Sequence, residues 1–300
     1  MSKSYTNGKR YTNNVRIEGK IVIITGANAG IGKATALDLA KRGGKIYMAC
    51  RNQNKGIEAV NEVKAASGND NVFFLQLDLA SLESIREFSK KFHEIETRLD
   101  ILINNAGVLS PLERTKEKFE LNMGVNHLGH FLLTNLLLDL LKQSAPSRIV
   151  VVASQLHKIG AIDKENFNSE KSFAGSWKAY ANSKLANILF TRELSKRLEG
   201  TGVTINALCP GAVDTDATKY LNPIMRFLMT PLKKLFYKSP ENGAQTSIML
   251  AVEPELEKVS GKYYETCQES TSSEKSKDDE MAAWLWELSD EKTTMVATVS

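Results

Sequence analysis

Short apolar runs alternate with longer helix-like segments along most of this chain. Strands are predicted at residues 21–25, 45–50, 71–77, 100–103, 148–154 and 203–209, and a seventh candidate begins at Gly261. These runs are almost continuously apolar, which is typical of strands covered on both faces. Helices are predicted at 30–42, 54–66, 81–97, 115–143, 177–199 and 240–252. Because strands that alternate with helices are joined by right-handed crossovers, the pattern predicts an α/β fold with a doubly wound parallel sheet of about seven strands.

The domain organisation follows from the length and from the absence of breaks in this pattern. The chain has 300 residues and shows neither a repeat nor a linker. One domain is therefore predicted over 1–300, with a core at about 20–265 and a polar N-terminal tail at 1–18. The polar stretch 272–280 is expected to be a solvated loop before a short last helix.

Charge and cysteine usage exclude several classes of protein. The net charge is only +4, from 39 basic and 35 acidic residues, so a nucleic-acid partner is not expected. The three cysteines, Cys50, Cys209 and Cys267, lie far apart without metal-ligand spacing, so we expect no metal site. Reduced thiols indicate a reducing, cytoplasmic compartment. Residues 1–20 are polar and basic and hold neither a signal peptide nor a membrane span.

A glycine-rich turn, TGANAGIG at 25–32, directly follows the first predicted strand and leads into a helix. Gly26, Gly30 and Gly32 allow the backbone to turn tightly and to approach a pyrophosphate. The helix N-terminus adds free N–H groups and the positive end of its dipole. The spacing differs from the common G-x-G-x-x-G fingerprint, and glycines in a turn can be purely structural. Their place at the first βα junction favours dinucleotide binding.

The residues after the next two strands bear on which dinucleotide fits. Arg51 follows the second strand, with no Asp or Glu beside it. An arginine can hold a ribose 2′-phosphate, whereas an acidic residue would bind a free 2′-hydroxyl. We therefore predict a preference for NADP(H), with NAD(H) as the alternative. Asp78, after the third strand, either binds the adenine amine or caps a turn.

The stretch YANSK places Tyr180 and Lys184 on one face of a predicted helix. Such a pair is common on helix surfaces, and both groups normally hold their protons well above neutral pH. Taken alone, the pair does not indicate catalysis.

Further motifs occur in order along the chain. They are NNAG from Asn104, Asn126 in VNHLGHFLLT, VVASQ with Ser154, YANSK, and PGAVDT from Pro210. Together with the glycine-rich turn, they resemble the short-chain dehydrogenase/reductase family over roughly 20–215. The stretches around Asn126 and SKLANILF resemble its retinol dehydrogenase branch most closely. The resemblance implies a Rossmann-type fold.

The resemblance also implies a role for each motif residue. Tyr180 would be the general acid/base, Lys184 would lower the pKa of Tyr180, Ser154 would bind the substrate oxygen, and Asn126 would hold a water in a proton relay. Asn104 would also lie beside the cofactor. The cofactor-binding residues would be Gly26, Asn28, Ala29, Gly30, Ile31, Gly32, Arg51, Asp78, Leu79, Asn105, Ala106, Gly107, Tyr180, Lys184, Pro210, Gly211, Val213 and Thr215. His127, His130 and His157 match no metal spacing and are expected to make packing or polar contacts.

The expected substrate is a lipophilic alcohol, such as a retinoid, isoprenoid or steroid, or its aldehyde or ketone. Segment 220–240, which mixes apolar and basic residues, would cover it. This segment would either touch an intracellular membrane or pack on the protein. A broad carbonyl reductase for aldehyde detoxification and a non-catalytic dinucleotide-binding sensor or scaffold are the alternatives. Helices 115–143 and 177–199 would form the interface of a homodimer.

Overall fold

The computed structural model describes residues 10–212 and 238–294. The strands are β1 Ile21–Thr25, β2 Lys45–Cys50, β3 Val72–Gln76, β4 Ile101–Asn104, β5 Ser147–Val152, β6 Val203–Cys209, β7 Tyr263–Glu265 and β8 Gln268–Glu269. They form one sheet in the order β3-β2-β1-β4-β5-β6-β7-β8. All neighbours are parallel except β7 and β8.

Helices cover both faces of the sheet. They are α1 Gly30–Lys41, α2 Gln53–Ser67, α3 Leu82–Ile95, α4 Leu121–Met123, α5 Gly129–Leu136, α6 Leu138–Gln143, α7 Ser176–Arg197, α8 Pro240–Val252 and α9 Asp279–Thr294. Successive residues of β1 point to opposite sides, so that Ile23 packs with Phe88 and Phe131. Ile24 packs with α1 and α8 on the other side, where Leu39 and Ile248 are buried. The interior strands are thus covered on both faces, as predicted, whereas β3 at the sheet edge leaves Phe73 and Gln76 exposed.

The strand order reverses at β1, which pairs with β2 on one side and with β4 on the other. In open parallel sheets, such a reversal leaves a crevice at the carboxyl ends of the two strands, where ligands bind. Here those ends are Thr25 and Asn104. The predicted doubly wound parallel sheet is confirmed, with a short antiparallel eighth strand added to its edge.

The predicted helix at 115–143 differs from the observed one. It begins at Leu121, because the Glu120 carboxylate accepts the N–H groups of Asn122 (3.0 Å) and Met123 (2.9 Å). A π-helical turn, Gly124–Leu128, separates α4 from α5, and the Gly129 N–H bonds to the Gly124 carbonyl. Leu137 then interrupts the helix before α6. π turns carry one extra residue per turn and are frequent at functional sites.

Helix α9 packs against α5 and α7. The Trp286 ring is stacked on Phe190 at 5.9 Å and meets the Phe131 ring edge-on at 4.8 Å. The Arg197 guanidinium lies 4.3 Å from the Trp286 ring centre. These contacts cover one side of the two helices that the sequence assigned to a dimer interface. Within 10–212 and 238–294, none of the helices combines the length and apolar character needed to cross a bilayer.

Candidate active site

The glycine-rich turn fits closely against the loop that follows β4. Gly26 has a φ of +64°, and a Cβ there would lie 2.9 Å from the Ala106 Cα. A Cβ on Gly32 would lie 2.6 Å from the Asn105 side-chain nitrogen. Because neither position has room for a side chain, the two loops pack directly against each other beside the crevice at the carboxyl ends of β1 and β4. This crevice lies where the strand order reverses.

Helix α1 begins inside this crevice, directly after Asn28 and Ala29. Ala29 provides no side-chain cap, and the first turn, which includes Gly30 and Ile31, contains no acidic side chain. The N-terminal N–H groups and the positive end of the helix dipole therefore face the crevice without a negative side chain from this turn. Such an end can bind a phosphate group.

The Thr25 hydroxyl ties the two loops together. Its oxygen accepts the backbone N–H groups of Asn105 and Ala106, both at 2.9 Å. The Asn105 side chain donates to the Thr25 carbonyl at 2.8 Å. Asn105 thus holds the two loops together with its side chain. Asn104 is buried beneath it and donates to the Thr134 hydroxyl at 2.9 Å.

His130 extends this network to the π turn. Its Nδ1 lies 3.1 Å from the Asn126 carbonyl, and its Nε2 lies 2.9 Å from the Thr25 hydroxyl. Because a carbonyl can only accept, Nδ1 carries the proton and Nε2 accepts from Thr25. Burial lowers the pKa of His130 to about 4, so the ring is neutral near pH 7. The histidine therefore joins the crevice to Asn126.

The predicted ribose and adenine residues lie at the ends of β2 and β3. Arg51 is exposed directly after β2, where its guanidinium is accessible to a phosphate. The Asp78 carboxylate accepts the Ala80 N–H at 3.0 Å, so the turn-capping alternative is observed. Leu79 is buried beside Asp78.

Lys184 and Asn126 meet beside Gly107. The Lys184 side chain is 2% exposed, and its ammonium donates to the Val152 carbonyl at 2.9 Å. A Cβ on Gly107 would lie 3.3 Å from the Lys184 Nζ and 3.5 Å from the Asn126 Oδ1. Burial lowers the pKa of Lys184 to about 8, which leaves the ammonium charged at neutral pH.

The Asn126 side chain holds neighbouring segments in place. Its Oδ1 accepts the Val108 N–H at 2.8 Å, and its Nδ2 donates to the Val108 carbonyl and to the Ser183 hydroxyl, both at 2.9 Å. The Ser183 hydroxyl in turn donates to the Tyr180 carbonyl at 2.8 Å. Asn126 therefore fixes the β4 loop against the helix that carries Tyr180 and Lys184.

Tyr180 lies between Lys184 and Ser154. The Lys184 Nζ is 5.5 Å from the centre of the Tyr180 ring. Burial raises the pKa of Tyr180 to about 12, and a hydrogen bond from the Ser154 side chain acts in the opposite direction. The expected lowering of this pKa by Lys184 is not observed, because burial of the phenol raises the pKa and Lys184 is not among the groups that shift it.

The remaining cofactor candidates follow β6. Pro210 is half-buried, and Gly211 has a φ of +85°, with its N–H bonded to the Cys209 sulfur at 3.3 Å. Val213, Thr215 and most of segment 220–240 lie outside the described residues. The structure thus gathers the predicted residues of the β1, β4, β5 and α7 motifs at one edge of the sheet.

Sequence reasoning missed three residues that organise this edge: Thr25, His130 and Ser183. Each of them hydrogen-bonds a motif residue. Thr25 and His130 also bond each other, although they are 105 positions apart in the chain. The position of Thr25 at the end of β1, beside the glycine-rich turn, was the available signal. No local pattern marks His130 as its partner.

Comparison with known proteins identifies the family. The short chain dehydrogenase model matches residues 20–225. Retinol dehydrogenase 11 of Mus musculus is 50% identical over 279 residues, which cover 93% of this chain and 87% of that protein. The crystal structure of an uncharacterized protein from Mycobacterium Paratuberculosis has a TM-score of 0.77 at 34% identity, covering 93% of this chain and 95% of the other.

A more distant structure shares the fold. The RhlG/NADP active-site complex from Pseudomonas aeruginosa has a TM-score of 0.67 at 24% identity, covering 83% of this chain and 95% of the other. The chain belongs to the short chain dehydrogenase family and is a short-chain oxidoreductase of the retinol dehydrogenase-like branch.

Proposed function

We propose that the protein is an NADP(H)-dependent oxidoreductase that interconverts a lipophilic alcohol with its aldehyde or ketone. The observation that carries the proposal is the buried Lys184 ammonium beside a phenol that Ser154 hydrogen-bonds. A buried ammonium costs stability, so its position next to Tyr180 favours a chemical role over a structural one.

The crevice fits a dinucleotide. Gly26–Gly32 would hold the pyrophosphate against the N-terminus of α1, and a Cβ at Gly26 or Gly32 would push this turn away from the β4 loop. Arg51 would pair with the ribose 2′-phosphate, and Gly107 would leave room beside Lys184. The RhlG complex, which contains NADP, supports this choice of cofactor. When bound, the cofactor accepts or supplies the hydride.

The protein groups would manage the proton. For reduction of a carbonyl, Tyr180 would donate its proton to the oxygen, and a pKa of about 12 keeps that proton in place at neutral pH. Ser154 would hydrogen-bond the developing negative charge. For oxidation, Tyr180 must first lose its proton, and the positive charge of Lys184 favours the resulting phenolate.

The substrate class rests on the relatives. Retinol dehydrogenase 11 of Mus musculus supports a retinoid-like molecule, and other isoprenoids and steroids share its lipophilic character. Segment 220–240, which lies largely outside the described residues, is proposed to cover the substrate. Steady-state assays with retinoid, isoprenoid, steroid and short aldehyde substrates, each with NADPH and NADH, would separate this function from a broad carbonyl reductase or a non-catalytic sensor.

Tyr180→Phe tests the catalytic assignment. The variant should bind NADPH as the wild type does and lose nearly all turnover, because the group that transfers the proton is gone. Tyr264→Phe, which removes a phenol oxygen from β7 on the opposite core, is the control and should retain activity. Substantial turnover by Tyr180→Phe would contradict the proposal.

Arg51→Ala tests the cofactor preference. The ratio of kcat/KM with NADPH to that with NADH should fall by about tenfold or more, because the 2′-phosphate loses its cationic partner. Lys91→Ala removes one exposed positive charge from α3 and controls for net charge. An unchanged ratio would remove Arg51 from this role.

Location and assembly remain proposals from the sequence. We propose a cytoplasmic protein that contacts an intracellular membrane through 220–240, and a homodimer. Because α9 covers one side of α5 and α7, a dimer would have to use another side of these helices. Light scattering on the purified protein and flotation with lipid vesicles would decide each question.

A further inference from the structure

His157 is fully buried within residues 154–160, a segment that we call the catalytic turn. It follows Ser154 by three positions, within the short 3₁₀ helix Gln155–Ile159. Its Nδ1 lies 2.6 Å from the Ser154 carbonyl. The other ring nitrogen, Nε2, accepts the backbone N–H of Ser273 at 3.1 Å. The imidazole thus bridges Ser154 and a segment 116 positions further along the chain.

These partners determine the protonation of the ring. The Ser154 carbonyl can only accept, so Nδ1 carries the proton, and the Ser273 N–H can only donate, so Nε2 must be unprotonated. The neutral Nδ1–H form satisfies both contacts. Burial lowers the pKa of His157, in agreement with a neutral ring. The ring also packs edge-on against Tyr263, with 5.1 Å between the ring centres.

Two further hydrogen bonds hold the segment around Ser273 in place. The Ser276 hydroxyl donates to the Ser273 carbonyl at 2.6 Å. The Lys275 ammonium donates to the Gly160 carbonyl at 3.3 Å, at the far end of the turn that carries His157. Residues 273–277 therefore contact the catalytic turn at two points.

We propose that His157 is a positioning residue that fixes Ser154, and that residues 273–277 hold the catalytic serine through it. The inference rests on the proposed function, since it takes Ser154 as the residue that hydrogen-bonds the substrate oxygen. A displacement of that hydroxyl lowers turnover because its hydrogen bond must meet the oxygen as charge develops. Cofactor binding is unaffected, because the crevice is formed by the β1 and β4 loops.

Ser273→Pro removes the N–H donor and places a Cδ where its hydrogen lay, so it breaks the contact with Nε2 and displaces the His157 ring. Ser273 has a φ of −66°, which is the angle that proline requires. Glu274→Pro is the matched control: it places a proline one residue later, after a residue whose ψ of 156° already suits a following proline. We expect kcat to fall about tenfold in Ser273→Pro and to stay within about twofold in Glu274→Pro, as for the loss of one hydrogen bond. The NADPH Kd should be unchanged in both.

Two histidine variants separate the two ring nitrogens. His157→Asn keeps an amide donor near the Nδ1 position, whereas His157→Gln carries its amide out to the Nε2 position. The Asn variant should retain several-fold more kcat than the Gln variant, because it can still bond the Ser154 carbonyl. Equal losses would indicate a packing role and would overturn the inference.

The bridge also has a readout that does not depend on turnover. Nitrogen NMR of the wild type should show His157 in the Nδ1–H form at pH 7, with Ser273→Pro changing the Nε2 resonance. The opposite form overturns the inference, even if Ser273→Pro fails to fold. If the wild type turns over and the two proline variants have equal kcat, the inference fails and the proposed function stands. A wild type without turnover on the whole substrate panel overturns both.

Discussion

Replacing Lys184 by methionine should stabilise the protein while removing its activity. Lys184 is 2% exposed, and burial lowers its pKa from 10.5 to about 8. At 1.36 kcal/mol for each pKa unit, keeping this ammonium charged at pH 7 costs the folded state about 3 kcal/mol. Methionine has a similar length and no charge. It loses the bond to the Val152 carbonyl, worth about 1 kcal/mol.

The net gain for Lys184→Met is therefore about 2 kcal/mol at pH 7, or a rise of about 3 °C in Tm. The pH dependence identifies the cause. Between pH 8 and 10.5 the unfolded lysine holds a proton that the folded one has lost, so wild-type stability rises with pH. The advantage of the variant should shrink over the same range.

Urea unfolding at pH 7 and at pH 9.5, without added cofactor, measures both free energies. Lys178→Met on the same helix is the control, because its ammonium also donates to a carbonyl, that of Ile159, from a half-buried site. We expect a change within about 0.5 kcal/mol there. A Lys184→Met variant less stable than the wild type at pH 7, or with the same advantage at both pH values, would refute the reasoning.

Two further predictions concern the crevice and the buried histidines. Gly26→Ala should weaken NADPH binding at least tenfold in a fluorescence titration, because its Cβ would lie 2.9 Å from the Ala106 Cα. Gly68→Ala, with a φ of +70° and no atom within 4 Å of its Cβ, should lose only about 1 kcal/mol of stability and no affinity. Lowering the pH from 7 to 5 should destabilise the fold by about 2 kcal/mol for each of His127 and His130. In the unfolded chain both rings take up a proton near pH 6.5, whereas in the folded protein the pKa is about 3 for His127 and about 4 for His130. In urea unfolding, His130→Gln should lose about half as much unfolding free energy between pH 7 and pH 5 as the wild type does. A loss equal to that of the wild type would contradict the assignment.

Three parallel strands could be predicted to the residue because their burial is nearly uniform. β1, β2 and β6 coincide with the predicted ranges, and each is buried along nearly its whole length. An apolar run between turn residues is an unambiguous signal when both faces are covered. β8 was missed because it has two exposed residues, Gln268 and Glu269, and pairs only through its backbone with β7.

The helix around Asn126 shows where local patterns stop being informative. Its start depends on the Glu120 carboxylate, which is an uncommon cap, and its π turn has no composition signal. The last helix was expected to be short, yet α9 runs over 16 residues because Trp286 packs on Phe131 and Phe190. A local carboxylate cap determined the start of α4, whereas long-range contacts determined the length of α9.

The candidate site also has features that the sequence predicted and features that it could not predict. Its motif residues were identifiable because their types and order are specific, and most of them meet at one sheet edge. The pKa of Tyr180 was not predictable, because it depends on how deeply the phenol is buried. The roles of His130 and His157 depend on partners more than 100 positions away.

The bond between His157 and Ser273 has a consequence for biosynthesis. Its two ends are 116 positions apart, so at a synthesis rate of about 5–20 residues per second the second end follows the first by roughly 6 to 23 s. The glycine-rich crevice needs only β1, α1 and the β4 loop and can form earlier. A nascent chain is therefore expected to gain cofactor affinity before it gains full turnover, and a ribosome stalled before Ser273 emerges would display a binding-competent enzyme of low activity.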